Sequence, residues 1–207
     1  VYAQNTWTYI GSHNKCSQIS VFSEVVNINT FNSLDSNGAL DSIGKTKWIK
    51  GIVTSIDYDS GPYVLDFYVA DTTDGIHIWS QGQYSLGIPD PNIGDSVYIQ
   101  GHLYQSGGLA TLLLDSLFLI NSGNSLMSPT ITTVLNESTE SELIKLKGFN
   151  LVNPNLWTTT SSGNVYLDIT NGIDTLQMLI DTDTDIDGTA APNGVFDLTG
   201  IGSQQDY

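Results

Sequence analysis

The sequence contains no arginine, and its only basic side chains are six lysines, against 22 acidic residues. The formal net charge is therefore −16. Proteins that bind nucleic acid neutralise phosphates with lysine and arginine, and arginine also supplies the planar group that grips phosphate and guanine. These absences argue against nucleic acid as a partner.

Cysteine occurs once, as Cys16, so no intramolecular disulfide can form. No stretch of the sequence reaches the roughly 18 apolar residues of a membrane-spanning helix, so we expect no membrane insertion. The sequence also has no Gly-x-Ser-x-Gly, His-Glu-x-x-His, phosphate-binding loop or Cys-x-x-Cys. We therefore predict that the protein is not an enzyme.

The composition is that of a folded, turn-rich chain. Apolar residues make up 40% of it, which is enough for a core. The acids are mostly aspartate, and they accompany abundant asparagine, serine, threonine and glycine. Because these proportions favour turns over helices, the predicted fold class is all-β, with many short strands.

An internal repeat organises the chain. Lys-Gly occurs in a strand-like run at 50–51 and again at 147–148, a spacing of 97 residues. Residues 71–75 match 168–172 at the same spacing. Each of these segments ends in Asp-Gly or Asn-Gly between alternating runs, which is typical of a tight hairpin turn.

The later part of each copy matches as well. Gly101 corresponds to Gly200 at a spacing of 99, which indicates a two-residue insertion in the second copy. Five short strands per copy predict two tandem OB-like small Greek-key β-barrels, at 45–128 and 129–207. The helix of an OB fold, between the third and fourth strands, has no counterpart, and the one predicted helical turn is at 138–143.

Residues 45–207 resemble the tandem OB-fold-like domains of large secreted and cell-surface bacterial proteins of the Bacteroidetes type, associated with type IX secretion. The similarity rests on the runs DFYVADTTDGIHIW, IGDSVYIQGHL and NGIDTLQMLIDTDTDIDGTAAPNGVFDLTGIGSQQD. It implies an extracellular, non-catalytic module of the kind found beside nucleases, lamin-tail domains or adhesins. The family continues with another extended segment and a sorting domain, whereas this sequence ends at Tyr207.

The second copy is shorter than the first at its end. The first copy continues after Gly101 into a long apolar run at 109–120, whereas only residues 201–207 follow Gly200. We therefore expect the second barrel to lack its last strand and to expose an open edge, which favours association.

The N-terminal extension, residues 1–44, contains a β-rich run that belongs to neither copy. Its candidate interface side chains are Ile19, Val21, Val25 and Ile28. We predict that this run adds as a strand to the second barrel, either within one chain or between subunits. Addition between subunits is head-to-tail and gives a ring or a filament. The alternative is an ordinary edge strand of the first barrel.

Four aspartates have the spacing of metal ligands, namely Asp181, Asp183, Asp185 and Asp187, with a glycine following. Alternate carboxylates lie on one side of an extended segment, and such a loop can supply oxygens to calcium. An EF-hand needs glutamate at its twelfth position, which here is Pro192, so the loop is not an EF-hand. The alternative to a calcium site is a solvated acidic strand end.

A second candidate binding surface is aromatic. If Leu65, Phe67 and Val69 point into the first barrel, the alternation places Tyr68, His77, Trp79 and Tyr98 on its outside. OB folds bind oligonucleotides or oligosaccharides on such a face, and the acidic charge favours glycan over nucleic acid. The alternative is that this face packs against another part of the protein or another subunit.

The leading functional hypothesis is a non-enzymatic, self-assembling structural protein outside the cell or on its surface. Its subunits would join as homo-oligomers or filaments by β-strand addition, with calcium ordering the acidic surface. The alternatives are a monomeric secreted binding module for glycan and an accessory domain of a larger secreted protein.

Overall fold

A computed structural model describes residues 7–8, 17–18, 24–59, 61, 63–81, 90–159 and 163–204. The described chain is nearly all β, which confirms the predicted fold class. Two of the predicted interface residues, Ile19 and Val21, lie outside the described residues. The first two strands pair with each other in antiparallel fashion: β1 (Trp7–Thr8) and β2 (Ser17–Gln18).

The first module is a six-stranded sheet whose five longer strands close on themselves. Its strands are β3 (Val25–Val26), β4 (Thr46–Val53), β5 (Val64–Ala70), β6 (Gly75–Gln81), β7 (Ser96–Ser106) and β8 (Leu109–Asn121). Their order is β3-β4-β5-β6-β8-β7, and β7 also pairs with β4 along seven residues, which closes the ring. This order, with β8 parallel to β6, is compatible with an OB-like barrel.

Apolar side chains fill the inside of the first module because they alternate along its strands. Leu65, Phe67 and Val69 on β5 are fully buried, as the sequence pattern predicts. The strand β8 completes this core: Leu112 is fully buried, and the strand pairs with β6 on one side and with β7 on the other. The first module therefore has no open edge between β6 and β7.

The segment before β4 belongs to the first module. Val25 and Val26 pair parallel to β4, and the short helix α1 (Ile28–Phe31) follows. Ile28, Phe31 and Leu40 all join the core of the first module. The prediction that Val25 and Ile28 add to the second barrel is wrong for this chain's own fold, since parallel pairing and core burial hold them in the first.

The second module has five strands in an open arrangement. They are β9 (Thr130–Thr132), β10 (Leu143–Leu151), β11 (Val165–Thr170), β12 (Thr175–Ile180) and β13 (Phe196–Ile201). Their order is β12-β11-β10-β13, with β9 parallel to β10. Within the described part of the chain, no strand pairs with the outer edge of β12 or of β13.

The pairing registers show which residues of the two modules are equivalent. Lys47 pairs with Gly101 in the first module, and Ile144 pairs with Gly200 in the second, which supports the spacings of 97 and 99. The hairpin after the second strand differs from its prediction. The four-residue loop of this hairpin is 71–74 in the first module and 171–174 in the second. The two loops are therefore 100 residues apart along the chain, rather than the predicted 97.

A bulge in β10 accounts for part of this difference. The pairing of β10 with β13 shifts between Leu146 and Phe149, where Gly148 has a φ of 74°. Glycine fits this left-handed conformation without a steric cost, so the bulge adds a residue that β4 does not have.

The first copy begins earlier than its predicted start at residue 45, because β3 belongs to it, whereas β9 lies within the predicted bounds of the second copy. Both β3 and β9 run parallel to the first long strand of their module. The helical turn predicted at 138–143 is a 3₁₀ helix at Glu137–Thr139, capped by Asn136, and residue 143 already begins β10. A second 3₁₀ helix, Pro154–Leu156, follows β10.

Candidate strand-acceptor site

The candidate site is the space between the outer edges of β12 and β13, which we call the acceptor gap. In the first module the equivalent strands are β6 and β7, and β8 lies between them. It pairs with β6 at three positions and with β7 at eleven. The edges of the acceptor gap thus present backbone N–H and C=O groups whose equivalents in the first module form hydrogen bonds with β8.

The side chains that line the acceptor gap are less buried than their equivalents. Ile76, Val97 and Ile99 in the first module are completely inaccessible to solvent. Their equivalents in the second module are Leu176, Phe196 and Leu198, all only partly buried. Covering such surface stabilises by roughly 25 cal/mol per Å² of apolar area, so an added strand would gain energy here.

One pair of equivalent glycines shows the same difference at the backbone. A Cβ atom built on Gly101 would overlap the side chain of Leu112 and the carbonyl oxygen of Leu113, both on β8. A Cβ atom built on Gly200 would meet no atom of the described residues within 4 Å. The second module therefore has a glycine at the position where the first needs one to admit its last strand.

Large apolar side chains are also exposed around the second module. Leu179 on β12 is 47% exposed and Tyr166, its cross-strand neighbour on β11, is 50% exposed. Ile173 in the hairpin loop is 92% exposed.

The predicted aromatic face is not an open surface. Tyr68 and His77 are both buried, with 7% and 9% of their surface exposed. The Tyr68 hydroxyl lies 3.5 Å from the hydroxyl of Ser203, beyond β13, so the second module covers this part of the first. Tyr68 thus packs against the second module, as the packing alternative expects, and His77 is buried against Asp66 and Thr111 within the first, so ligand binding at this face stays a prediction.

Hydrogen bonds within the first module hold the His77 ring beside Tyr68. His77 Nε2 lies 2.9 Å from a carboxylate oxygen of Asp66, and Nδ1 lies 3.0 Å from the hydroxyl of Thr111. The ring of Tyr68 lies 4.9 Å from that of His77. Burial raises the pKa of Tyr68, so its hydroxyl stays protonated and able to donate a hydrogen bond.

The other two aromatic residues lie apart from each other. Trp79 is partly exposed on β6, opposite Asp66 on β5. Tyr98 is on β7, which pairs with β4 and β8 and with neither β5 nor β6, and the ammonium group of Lys50 lies 5.7 Å from its ring. The four aromatic side chains therefore do not form one continuous binding face.

A pair of acids marks the junction between the modules. A carboxylate oxygen of Asp74 accepts a hydrogen bond from the side-chain amide of Asn32 at 3.1 Å, and Asp74 also hydrogen-bonds to the side chain of Glu142. Burial is the main cause that raises the pKa of both carboxyl groups, followed by the charge of Asp71 for Asp74 and the charge of Asp74 for Glu142. At Gly75 a Cβ atom would overlap the carbonyl oxygen of Ser141, so the two modules meet backbone to backbone.

The predicted metal-binding aspartates lie in a series of turns and not on one side of an extended segment. Thr184 N–H donates to the carbonyl of Asp181, and Asp187 N–H donates to that of Thr184. Asp181 is buried, and one of its carboxylate oxygens accepts from the amide of Asp183 at 3.0 Å. Burial raises the pKa of Asp181. In the described residues no three acids, histidines or cysteines come together as metal ligands, and calcium binding by Asp181, Asp183, Asp185 and Asp187 stays a prediction.

Sequence reasoning located the open edge but not its lining. It did not single out Leu176, Phe196, Leu198 or Gly200, although the spacing of 99 that relates Gly200 to Gly101 was visible in the sequence. These residues stand out only by comparison with the first module, where β8 covers the equivalent positions. The strand pairing is needed to identify β8 as that neighbour. No helix among the described residues is long and apolar enough to cross a membrane.

Comparison with known proteins does not identify a family. No family model matches the chain, and no curated protein matches it. A putative aspartyl-tRNA synthetase from Leishmania major Friedlin is similar over 51% of this chain, with 12% identity and a TM-score of 0.32. The similarity covers 24% of that protein, and at this score it carries no argument about function.

Proposed function

We propose that the protein is a non-enzymatic structural subunit that assembles with copies of itself by β-strand addition. The acceptor gap of one copy takes a strand from the N-terminal segment of the next. The observation that carries this proposal is the contrast between Gly101, which β8 covers, and Gly200, which faces open space.

The choice of donor follows from the way the N-terminal segment is held. Val25 and Ile28 are held in the first module of their own copy. Ile19 and Val21 precede this anchor and alternate with polar residues, as in a strand with one apolar face. A donor run up to residue 23, joined to its own module at Val25, leaves the core of the donor intact.

The extracellular setting and calcium belong to the same proposal. The composition and the resemblance to secreted OB-fold-like domains favour a protein outside the cell or on its surface. Copies with a net charge of −16 repel each other at low ionic strength. Calcium bound by the acidic loop at 181–187 would reduce this repulsion.

The test compares two substitutions on the same strand. Gly200→Val adds a side chain in the acceptor gap where the isolated chain has room for it, and it should abolish assembly without unfolding the monomer. Thr199→Val changes the neighbouring exposed residue of β13 and should leave assembly unchanged. Electron microscopy and light scattering of the full chain, at several calcium concentrations, measure the outcome.

A deletion tests the donor. Removal of residues 1–23 keeps β3 and α1, and it should give a folded monomer that does not assemble with itself but still accepts the N-terminal segment of the full chain. Only dispersed particles of about 22 kDa from the full chain, at every calcium concentration, would refute the proposed function. The glycan-binding alternative is the weaker one, because Tyr68 and His77 are both buried and Tyr68 packs against the second module.

A further inference from the structure

The first module contains a template for the strand that the second module lacks. Within the first module β8 runs parallel to β6, with His77 opposite Thr111 and Trp79 opposite Leu113. The same strand runs antiparallel to β7, with Gly101 opposite Leu114. The template thus has a defined direction relative to both of its neighbours.

The edges of the acceptor gap run in the same directions as the edges around β8. The strand β12 is antiparallel to β11, as β6 is to β5. The strand β13 is antiparallel to β10, as β7 is to β4. A strand between the two edges must therefore be parallel to one of them and antiparallel to the other.

We propose that the donor strand of a second copy enters the acceptor gap parallel to β12 and antiparallel to β13, crossing close to Gly200. This inference rests on the proposed function and adds the direction of the strand to it. In the first module β8 has its longer pairing, at eleven positions, with its antiparallel neighbour β7 and only three with parallel β6, which makes β13 the antiparallel neighbour of the donor.

The position of Gly200 supports this direction. In the first module a Cβ atom on Gly101 would overlap Leu112 and Leu113 of β8, and the pairing of β7 with β8 shifts register at the same place. The equivalent place beside Gly200 is open, and β13 has no side chain there. A strand that followed the path of β8 would cover Leu176 and Leu198 as β8 covers Ile76 and Ile99.

This direction also sets the geometry of the assembly. The donor lies before the first module of one copy, and the acceptor gap lies in the second module of the next. The contact is therefore between two different surfaces, so copies add head-to-tail into a ring or a filament.

The test is cross-linking between copies that each carry one cysteine in a Cys16→Ser background. Donor copies carry Ser17→Cys or Ser23→Cys, and acceptor copies carry Thr175→Cys or Leu179→Cys. The donor sites are about 20 Å apart in an extended strand and the acceptor sites about 14 Å, so a short bismaleimide distinguishes the two ends. Each donor is mixed with each acceptor under assembling conditions.

The proposed direction gives cross-linked dimers mainly from 17 with 175 and from 23 with 179. The opposite pairs, 17 with 179 and 23 with 175, would overturn the direction while leaving strand addition intact. Assembly without any cross-link at these positions would also overturn it, and a cross-link within a doubly substituted single chain would show that the donor is not a second copy. A complete absence of assembly would refute the proposed function itself, and the two failures are thus distinguishable.

Discussion

The two modules share a short parallel strand and four longer strands with the same pairing, but only the first has a fifth long strand among the described residues. In the first module β8 lies between the third and fourth strands and buries Ile76, Val97 and Ile99 completely. In the second module the equivalent side chains stay partly exposed, and the edges on either side have no partner among the described strands. The comparison shows that the first module closes around β8, whereas no described strand closes the second.

The largest expected effect comes from the equivalent glycines. Gly101→Val places a side chain against the backbone of β8, and it should lower the free energy of unfolding by about 3 kcal/mol or more. Gly200→Val should change the stability of the monomer by less than about 0.5 kcal/mol. Urea unfolding of both variants measures this difference, and equal destabilisation would mean that the acceptor gap is already filled.

A smaller difference is expected at a core position that the missing strand would cover. Ile99→Ala should cost about 2–5 kcal/mol of unfolding free energy, because this side chain is fully buried. Leu198→Ala should cost about 1–2 kcal/mol in the monomer and more in the assembled protein, where the donor strand covers it.

Thermal unfolding of the assembly and of the monomer that lacks residues 1–23 separates these two costs. If Leu198→Ala were equally costly in both forms, the donor strand would not lie over this residue.

The smallest expected effect is at the junction between the modules. The pKa values of Asp74 and Glu142 are raised in the folded protein, so the folded state binds protons more tightly than the unfolded state does. Stability should therefore increase as pH falls from 7 through the raised pKa values, and it should be lost again as pH rises. Solvent screening limits the change to about 1 kcal/mol.

The matched variants for this test are Glu142→Gln and Asp174→Asn. The first removes a charge from the junction and should flatten the pH dependence of the unfolding free energy. The second changes the residue equivalent to Asp74 in the other hairpin, outside the junction, and should leave the dependence in place. Asp57, whose pKa burial raises to about 6, contributes a similar pH dependence that both variants retain.

The sequence predicted those features that depend on neighbours along the chain. Alternation identified Leu65, Phe67 and Val69 as core residues, and the turn residues located the hairpins. The predicted alignment of the two hairpins was wrong by three residues. The bulge at Gly148 and the loop lengths shift the strand pairing, and the sequence contains no clear signal for either. The face of Tyr68 and His77 was assigned to solvent because alternation gives the direction of a side chain but not what lies against it.

By itself, the sequence determined an all-β chain with two related copies and a large negative charge. These features follow from composition, period and length, which are local properties. Only the tertiary structure decided that Val25 and Ile28 belong to the first module, that the second module covers Tyr68, and that Gly200 faces open space. Each of these depends on which distant segments pack together, and packing is set by the whole fold rather than by any one stretch of the chain.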